Sequence, residues 1–240
     1  MTETLSLRVK IEQSPMGAYQ WMIVVMAAIM NLLDGFDVLA LAFTATAIRG
    51  EFGLTGIELG YLLSAGLFGM TAGSLFLAPL ADKIGRRPLL LMAVSLSAIG
   101  MLGSAFISQY QWLGFWRVIT GLGVGGILVG TNVLTSEYSS RKWRSFAISV
   151  YAAGFGIGAV LGGMFAVMLQ GEYGWRSVFL AGAILTGLLL VVLFIWLPES
   201  IDFLTSKQPK NAEVRLNLIA KKIGLAGDWK LPAKVEKVKS

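Results

Sequence analysis

The stretch 21–47 reads WMIVVMAAIMNLLDGFDVLALAFTATA and decides the fold of this chain. It is apolar except for a polar group near its middle, and it exceeds the ~20 residues that a helix needs to cross about 30 Å of hydrocarbon. Five later stretches approach or exceed the same length. None alternates as the strands of a lipid-facing barrel would, so the chain is predicted to be an all-α membrane protein with six transmembrane helices. The predicted spans are 21–47, 59–81, 88–107, 112–134, 146–169 and 178–197.

The composition also indicates a membrane protein. Of the 240 residues, 55% are hydrophobic and 14% are charged, and the mean hydropathy is +0.70, a balance that a water-soluble domain could not bury. A net charge of +6 would suggest nucleic-acid binding in a soluble protein, whereas here its distribution indicates membrane topology. With no cysteine and no histidine, thiolate metal sites are excluded and any proton carrier must be a carboxylate. We expect the lipid bilayer as a partner, and neither nucleic acid, metal nor cofactor.

Basic residues are concentrated on one side of the predicted spans. That side comprises the N-terminus and the loops after the second and fourth spans, while the opposite side has only Arg49 and Arg176. By the positive-inside rule both ends are cytoplasmic. The predicted organisation is a cytoplasmic N-terminus (1–20), a transmembrane bundle (21–197) and a cytoplasmic segment (198–240). The basic residues of the cytoplasmic side are Arg8, Lys10, Lys83, Arg86, Arg87, Arg141, Lys142 and Arg144.

The segment after Pro198 is polar and rich in lysine, and it contains no further span. Part of it has the periodicity of a short helix with one apolar face. We expect this helix to lie on the cytoplasmic membrane surface or to cap the bundle, and a disordered linker with chance periodicity is the alternative. The apolar face comprises Val214, Leu218, Ile219 and Ile223, flanked by Lys221 and Lys222.

Two aspartates interrupt the first span near its middle. Asn31, Asp34 and Asp37 cover an arc of about 120° on a helix, so they share one face. Each carboxylate would cost at least ~2.5 kcal/mol in lipid, and the face should therefore line a protein-walled cavity that water can enter. Gly35 permits the close approach of a neighbouring helix or a slight break. Simple pairing with groups on other helices is the structural alternative, for which Arg117 is the available intramembrane cation.

Glycines are frequent in the fourth and fifth spans. Gly121, Gly123 and Gly126 match the spacing of a dinucleotide-binding loop, but that site needs a preceding strand and a water-exposed helix N-terminus, which an apolar span cannot provide. We therefore predict close helix packing at these glycines. No nucleophile–base constellation, metal cluster or phosphate loop is recognisable, so an enzyme is not expected. The glycines predicted to serve packing are Gly121, Gly123, Gly125, Gly154, Gly158 and Gly162.

Several ordered motifs resemble those of the major facilitator superfamily, over the chain as far as Ser200. They are LADKIGRR at 80–87, Arg117 followed by glycines, Glu137 and Arg144 on either side of a cytoplasmic loop, and PES at 198–200. The resemblance implies the N-terminal bundle of that fold, made of two inverted three-helix repeats. It further implies a second six-helix bundle and a substrate site between the bundles near the midplane. It also implies a cytoplasmic conformational latch formed by Asp82, Gly85, Arg86, Arg87, Glu137 and Arg144.

Within the superfamily, the motif Asp34-Gly-Phe-Asp37 followed by Phe43 resembles the aromatic acid:proton symporters. These are importers of benzoate-like, hydroxybenzoate-like or muconate-like carboxylates in the bacterial inner membrane. The resemblance implies alternating access driven by the proton gradient, with a small carboxylate as substrate. Asp34 and Asp37, with Asn31 beside them, would couple the proton to the substrate, and Arg117 would attract the carboxylate. A drug-exporting antiporter is the alternative within the fold, disfavoured because Ala159 replaces the proline of the antiporter signature; a channel or receptor is the alternative outside it.

Overall fold

Six long helices contain most of the residues that the computed structural model describes, which are 7–225, 227 and 229–231. The helices are α1 (Leu7–Gln13), α2 (Ala18–Phe52), α3 (Gly56–Ile84), α4 (Arg86–Ala105), α5 (Tyr110–Tyr138), α6 (Arg144–Tyr173), α7 (Trp175–Trp196), α8 (Ile201–Lys207) and α9 (Ala212–Ile223). Each helix from α2 to α7 is long and apolar enough to cross a membrane. The predicted all-α architecture with six spans is therefore confirmed, and the described residues contain no strand.

Most of the long helices extend beyond the apolar stretches that predicted them. The predicted span 59–81, for example, lies inside the longer helix α3. That helix begins at a capping box, in which the Thr55 hydroxyl accepts from the backbone N–H of Glu58 at 3.3 Å. Capping residues are polar and are excluded from a hydropathy run, so hydropathy locates the part of a helix in hydrocarbon but not its ends.

Two helix pairs form the most extensive contacts of the bundle. α2 packs along α6 and α3 packs along α5, while α4 contacts both α5 and α7. If α2–α4 and α5–α7 are two repeats, then α2 corresponds to α5, α3 to α6 and α4 to α7. Under this correspondence the α2–α6 pair is equivalent to the α5–α3 pair. Each repeat has three spans, and an odd number of spans inverts the second repeat relative to the first. The helix contacts thus agree with the inverted-repeat prediction.

Glycines allow the helix backbones to approach closely in both pairs. A Cβ atom added at Gly158 would lie 1.8 Å from the carbonyl oxygen of Leu32, and one at Gly121 would lie 2.2 Å from that of Gly66. A Cβ at Gly156, by contrast, would meet nothing within 4 Å. The other predicted packing glycines also approach a neighbouring helix, and their nearest contacts would lie 2.2–2.5 Å from an added Cβ at Gly123, Gly125, Gly154 and Gly162.

The buried apolar side chains form two clusters, one towards each end of the bundle. The first includes residues of α1, α8 and α9, such as Leu7, and the second surrounds Trp175. Along α2 the first cluster ends at Leu33 and the second begins at Phe36. The aspartates of α2 therefore lie where the two clusters meet.

The segment predicted to be cytoplasmic folds back on the bundle through α8 and α9. α9 packs against α8 and α2, so it caps the bundle. The predicted apolar face is partly wrong: Ile219 is buried and Ile223 packs against the first cluster, but Val214 and Leu218 are 60% and 56% exposed. The buried stripe follows the i, i+4, i+7 spacing of Ala212, Leu216 and Ile219, which the prediction did not use. Residues 232–240 of this predicted segment lie outside the described residues.

Candidate functional site

The polar face of α2 is buried inside the bundle. Asn31, Asp34 and Asp37 each expose at most 3% of their surface. The Asn31 amide donates to the backbone oxygen of Tyr151 on α6 at 2.9 Å, and Asp37 Oδ2 accepts from the Ser97 hydroxyl of α4 at 2.6 Å. Asp34 Oδ2, Asp37 Oδ1 and Asn31 Oδ1 have no hydrogen-bond partner. Leaving these oxygens without a partner destabilises the folded bundle, because buried polar groups are normally hydrogen-bonded.

The Arg117 side chain of α5 is also buried, at 3% exposure. Its Nη2 lies 2.8 Å from Ser104 Oγ and 3.1 Å from Met101 Sδ, and its Nη1 lies 3.5 Å from the backbone oxygen of Asp37. The guanidinium also lies over the Phe179 ring of α7, 4.7 Å from its centroid. The ion pairs of the described residues do not include Arg117. Its neighbours are thus uncharged acceptors and one aromatic face.

Asp37 and Arg117 meet at a small open cleft of about 40 Å³ between α2, α3 and α5. Asn31 and Asp34 are not among its lining residues. This cleft therefore brings together Asp37 and Arg117, while the lining of a cavity by Asn31 and Asp34 stays a prediction. The remaining lining is apolar or small apart from one threonine, namely Val38, Leu41, Leu62, Leu63, Gly66, Leu67, Thr120, Gly121 and Val124.

The close approach of α6 explains why Asn31 and Asp34 are excluded from the cleft. A Cβ at Gly35 would lie 2.1 Å from the backbone oxygen of Phe155, so α6 presses against α2 at this point. α2 continues through Gly35 without a break. Of the two roles predicted for Gly35, the structure therefore shows the close approach of a neighbouring helix and not a break. Neighbouring Asn31 is hydrogen-bonded to the same helix, α6.

The loop between α3 and α4 carries the first group of predicted latch residues. Asp82, near the end of α3, and Arg86, the first residue of α4, form an ion pair at 2.8 Å. The Arg87 backbone N–H donates to Glu199 Oε1 at 3.0 Å. Gly85 has φ 104°, and a Cβ there would lie 2.6 Å from a Glu199 carboxylate oxygen, so both conformation and space require glycine. This loop is thereby held against the end of α7.

Glu137 and Arg144, the second group of predicted latch residues, have different partners. Glu137 accepts from the Ser200 hydroxyl at 2.8 Å and from the Ile201 backbone N–H at 2.9 Å, which caps α8. Arg144 donates to Glu12 of α1 at 2.6 Å. The hydrogen bond from Arg144, with the charge of that residue, holds the pKa of the Glu12 carboxyl below its ordinary value.

The short helix α1, which the sequence did not predict, lies across this network. Arg8 forms an ion pair with Asp202 of α8, and the Glu12 backbone oxygen accepts from the Arg141 N–H at 3.0 Å. Ile11 is fully buried beneath it. The N-terminal segment therefore joins the α5–α6 loop to the segment that follows α7.

Comparison with known proteins identifies the fold. The family model described as Major Facilitator Superfamily matches residues 27–231. The chain belongs to the major facilitator superfamily. Among curated relatives, the "Gallate transporter" of Pseudomonas putida is 36% identical over 85% of this chain and 45% of its own length. The "4-hydroxybenzoate transporter PcaK" of Pseudomonas putida is 35% identical over 90% of this chain and 48% of its own length. The chain thus spans about half the length of these superfamily members.

A solved structure of the superfamily has the same helix arrangement. The xylose transporter XylE from E. coli, in a partially occluded inward open conformation, superposes with a TM-score of 0.76 at 22% sequence identity. The superposition covers 87% of this chain and 56% of XylE. At this identity the likeness supports the fold alone, that of a multi-pass membrane protein with a major facilitator bundle.

Four residues that contact Asp37 or Arg117 were not identified by the sequence analysis. Ser97, Met101 and Ser104 lie on α4, and Phe179 lies on α7. The serines are small polar residues seven positions apart in an apolar span, which is a weak signal. Nothing in the sequence indicates that they reach charges on α2 and α5, because those contacts are made across the bundle.

Proposed function

We propose that this chain is the N-terminal bundle of a proton-coupled symporter that imports a small aromatic or muconate-like carboxylate across the bacterial inner membrane. The observation that carries this proposal is the cleft at which a buried acid, Asp37, and a buried unpaired cation, Arg117, meet. The proton gradient is the energy source, and no cofactor is required.

Proton coupling follows from the burial of the acid. An ionised carboxylate in the membrane interior is costly by at least ~2.5 kcal/mol, and a bound proton removes that charge. Asp37 Oδ1 is buried without a hydrogen-bond partner. Any movement that changes how water reaches Asp37 therefore changes its affinity for the proton, and that is the linkage a symporter needs. Asp34, one turn along the same helix, is a second carrier.

Carboxylate recognition follows from the environment of Arg117. The guanidinium is a planar set of donors suited to two-point binding of a carboxylate, and the groups in direct contact with it are uncharged. The apolar lining of the cleft suits a ring or a conjugated chain, since small-molecule sites combine apolar walls with a few polar groups. The relatives are named for gallate and 4-hydroxybenzoate, which fit this description.

A second six-helix bundle of the same transporter completes the proposed site. Because the chain spans about half the length of its relatives, the open side of the cleft is where we expect the second bundle. Alternating access is the rocking of the two bundles around a shared site near the midplane. The cytoplasmic contacts of Asp82, Gly85, Arg86, Arg87, Glu137 and Arg144 would stabilise one of its states.

Uptake of labelled carboxylates by the complete two-bundle transporter tests the proposed function. We expect saturable accumulation of an aromatic or muconate-like acid in inner-membrane vesicles with an inward proton gradient. A protonophore should reduce the internal concentration to the external one. Xylose, which has no carboxylate, is the control. If the same proton gradient drives export of the acid, the protein is an antiporter and the proposed symport is wrong. If none of the acids moves, the proposed substrate class is wrong.

We propose that the segments before and after the six spans both lie in the cytoplasm, because the basic loops lie on the same side of the bundle as these segments. Lys142→Cys and Arg49→Cys place single thiols in exposed positions of a chain without cysteine. A membrane-impermeant maleimide added to intact spheroplasts is expected to label position 49 and not position 142. The reverse pattern would invert the topology, and lysis should make both positions reactive.

A further inference from the structure

Two serines of α4 contact the two charged groups of the cleft. The Ser97 hydroxyl donates to Asp37 Oδ2 at 2.6 Å. Ser104 Oγ accepts from Arg117, 2.8 Å from Nη2 and 3.3 Å from Nε, and the Ser104 hydroxyl donates to the backbone oxygen of Gly100. Both serines are fully buried. Being seven residues apart, about two helical turns, they project from the same face of α4.

The spacing of the serines keeps the acid and the cation in separate hydrogen bonds. Met101 lies between the serines on the same face, and its sulfur lies 3.1 Å from Arg117 Nη2. The Arg117 guanidinium reaches the backbone oxygen of Asp37 at 3.5 Å. The Asp37 carboxylate, however, forms no ion pair with that guanidinium within 4.0 Å. Opposite charges this close in an apolar interior would ordinarily pair, so their separation requires other partners, which α4 supplies.

We infer that Ser97 and Ser104 are positioning residues that hold the Asp37 carboxylate and the Arg117 guanidinium apart, so that each remains available to its own ligand. The inference rests on the proposed function and deepens it. A direct ion pair would occupy both groups, keeping the acid ionised and denying the guanidinium to a substrate carboxylate. Separation leaves the proton site and the anion site adjacent but independently accessible.

The other groups near Asp37 do not provide this separation. Asp34 lies one turn away on α2 and is of like charge, and Tyr151 of α6 interacts electrostatically with Asp34. α3 lines the cleft with apolar residues, and α7 contributes the Phe179 ring and Gly182. Within the described residues, Arg117 is therefore the cation that can pair with Asp37. The side chains that hydrogen-bond the two charged groups, namely Ser97, Met101 and Ser104, all belong to α4.

Carbodiimide labelling tests the inference without any need for transport. An apolar carbodiimide reacts with a buried carboxyl group in its protonated form, and mass spectrometry of the purified chain in detergent measures labelling at Asp37. We expect Ser97→Ala to accelerate labelling about tenfold, because the ionised carboxylate loses a hydrogen bond while Ser104 and Met101 still hold the guanidinium away from it. Ser104→Ala should slow labelling about tenfold, because the released guanidinium can then pair with the acid.

The opposite signs of these two effects separate positioning from general destabilisation. Ser95→Ala is the matched control, since Ser95 is also on α4 but its hydroxyl donates to the Leu91 backbone oxygen at 2.7 Å and contacts neither charge. Ser97→Cys and Ser104→Thr are the replacements to use if an alanine variant does not fold. Ser97→Cys should change the labelling rate less than Ser97→Ala does, and Ser104→Thr should label at close to the wild-type rate. Changes in the same direction, or no larger than that of Ser95→Ala, would overturn the inference.

Uptake by the complete transporter supplies a second measurement. Ser104→Ala should raise the KM for the carboxylate about tenfold with a smaller change in maximal rate, and Ser104→Thr should restore it, because the hydroxyl positions the guanidinium that binds the anion. If wild-type protein moves no carboxylate while the opposite labelling changes are observed, the proposed function fails and the positioning role stands. If uptake is normal and labelling does not change, the positioning role fails alone.

Discussion

Asp37→Asn in the complete two-bundle transporter is expected to abolish proton-driven accumulation of substrate. The substitution preserves the shape of the side chain and its ability to accept from the Ser97 hydroxyl, but it removes the only protonatable group that lines the described cleft beside Arg117. A transporter that cannot bind the coupling proton can only equilibrate its substrate. Internal substrate in energised vesicles should therefore fall at least about tenfold, to the external concentration.

Exchange across vesicle membranes without a proton gradient is the control for folding and binding. It should persist in Asp37→Asn, because substrate binding by Arg117 does not require the acid to titrate. Asp34→Asn should also reduce accumulation, since Asp34 is buried one turn away with an unpartnered oxygen. Normal accumulation in both variants would show that the coupling carboxylate lies elsewhere, in the second bundle.

The helices could be predicted from sequence because each span is encoded locally. About 20 apolar residues specify a transmembrane helix in any context, and loop charge indicates its orientation. The predicted spans accordingly fall on α2 to α7. The helix ends were predicted less accurately, and α1 was missed because about two turns of amphipathic helix have no distinctive periodicity. Its stability comes from partners such as Arg144 and Asp202, which are far away in the sequence.

Sequence analysis could identify only those site residues whose type is rare in a membrane-spanning segment. An aspartate or arginine in an apolar span is conspicuous, so Asp34, Asp37 and Arg117 could be identified at once. Serines are common in membrane helices, and their role depends on which helix they face. The two α4 serines become informative only when α2 and α5 are placed against them. The same limit applies to Glu199, whose bond to the loop at Gly85 joins distant parts of the chain.

Arg117→Lys is expected to lower Vmax/KM for the carboxylate by about tenfold to a hundredfold, although the charge is retained. The guanidinium lies over the Phe179 ring while its Nη2 and Nε reach Ser104. An ammonium group is a compact point charge without a planar fork, so it cannot keep these contacts and also bind two carboxylate oxygens. Loss of one charge-assisted hydrogen bond corresponds to about 1.5–3 kcal/mol, which sets the expected range.

The comparison with Arg141→Lys separates this effect from a general intolerance of lysine. Arg141 is exposed in the α5–α6 loop, outside the cleft, and its replacement should leave uptake unchanged. Arg117→Gln removes the charge altogether and should be more severe than Arg117→Lys if attraction of the anion contributes to binding. The measurement is initial uptake rate against substrate concentration at equal membrane expression. Lysine performing as well as arginine would mean that Arg117 acts as a point charge, and the two-point binding of the carboxylate would have to be abandoned.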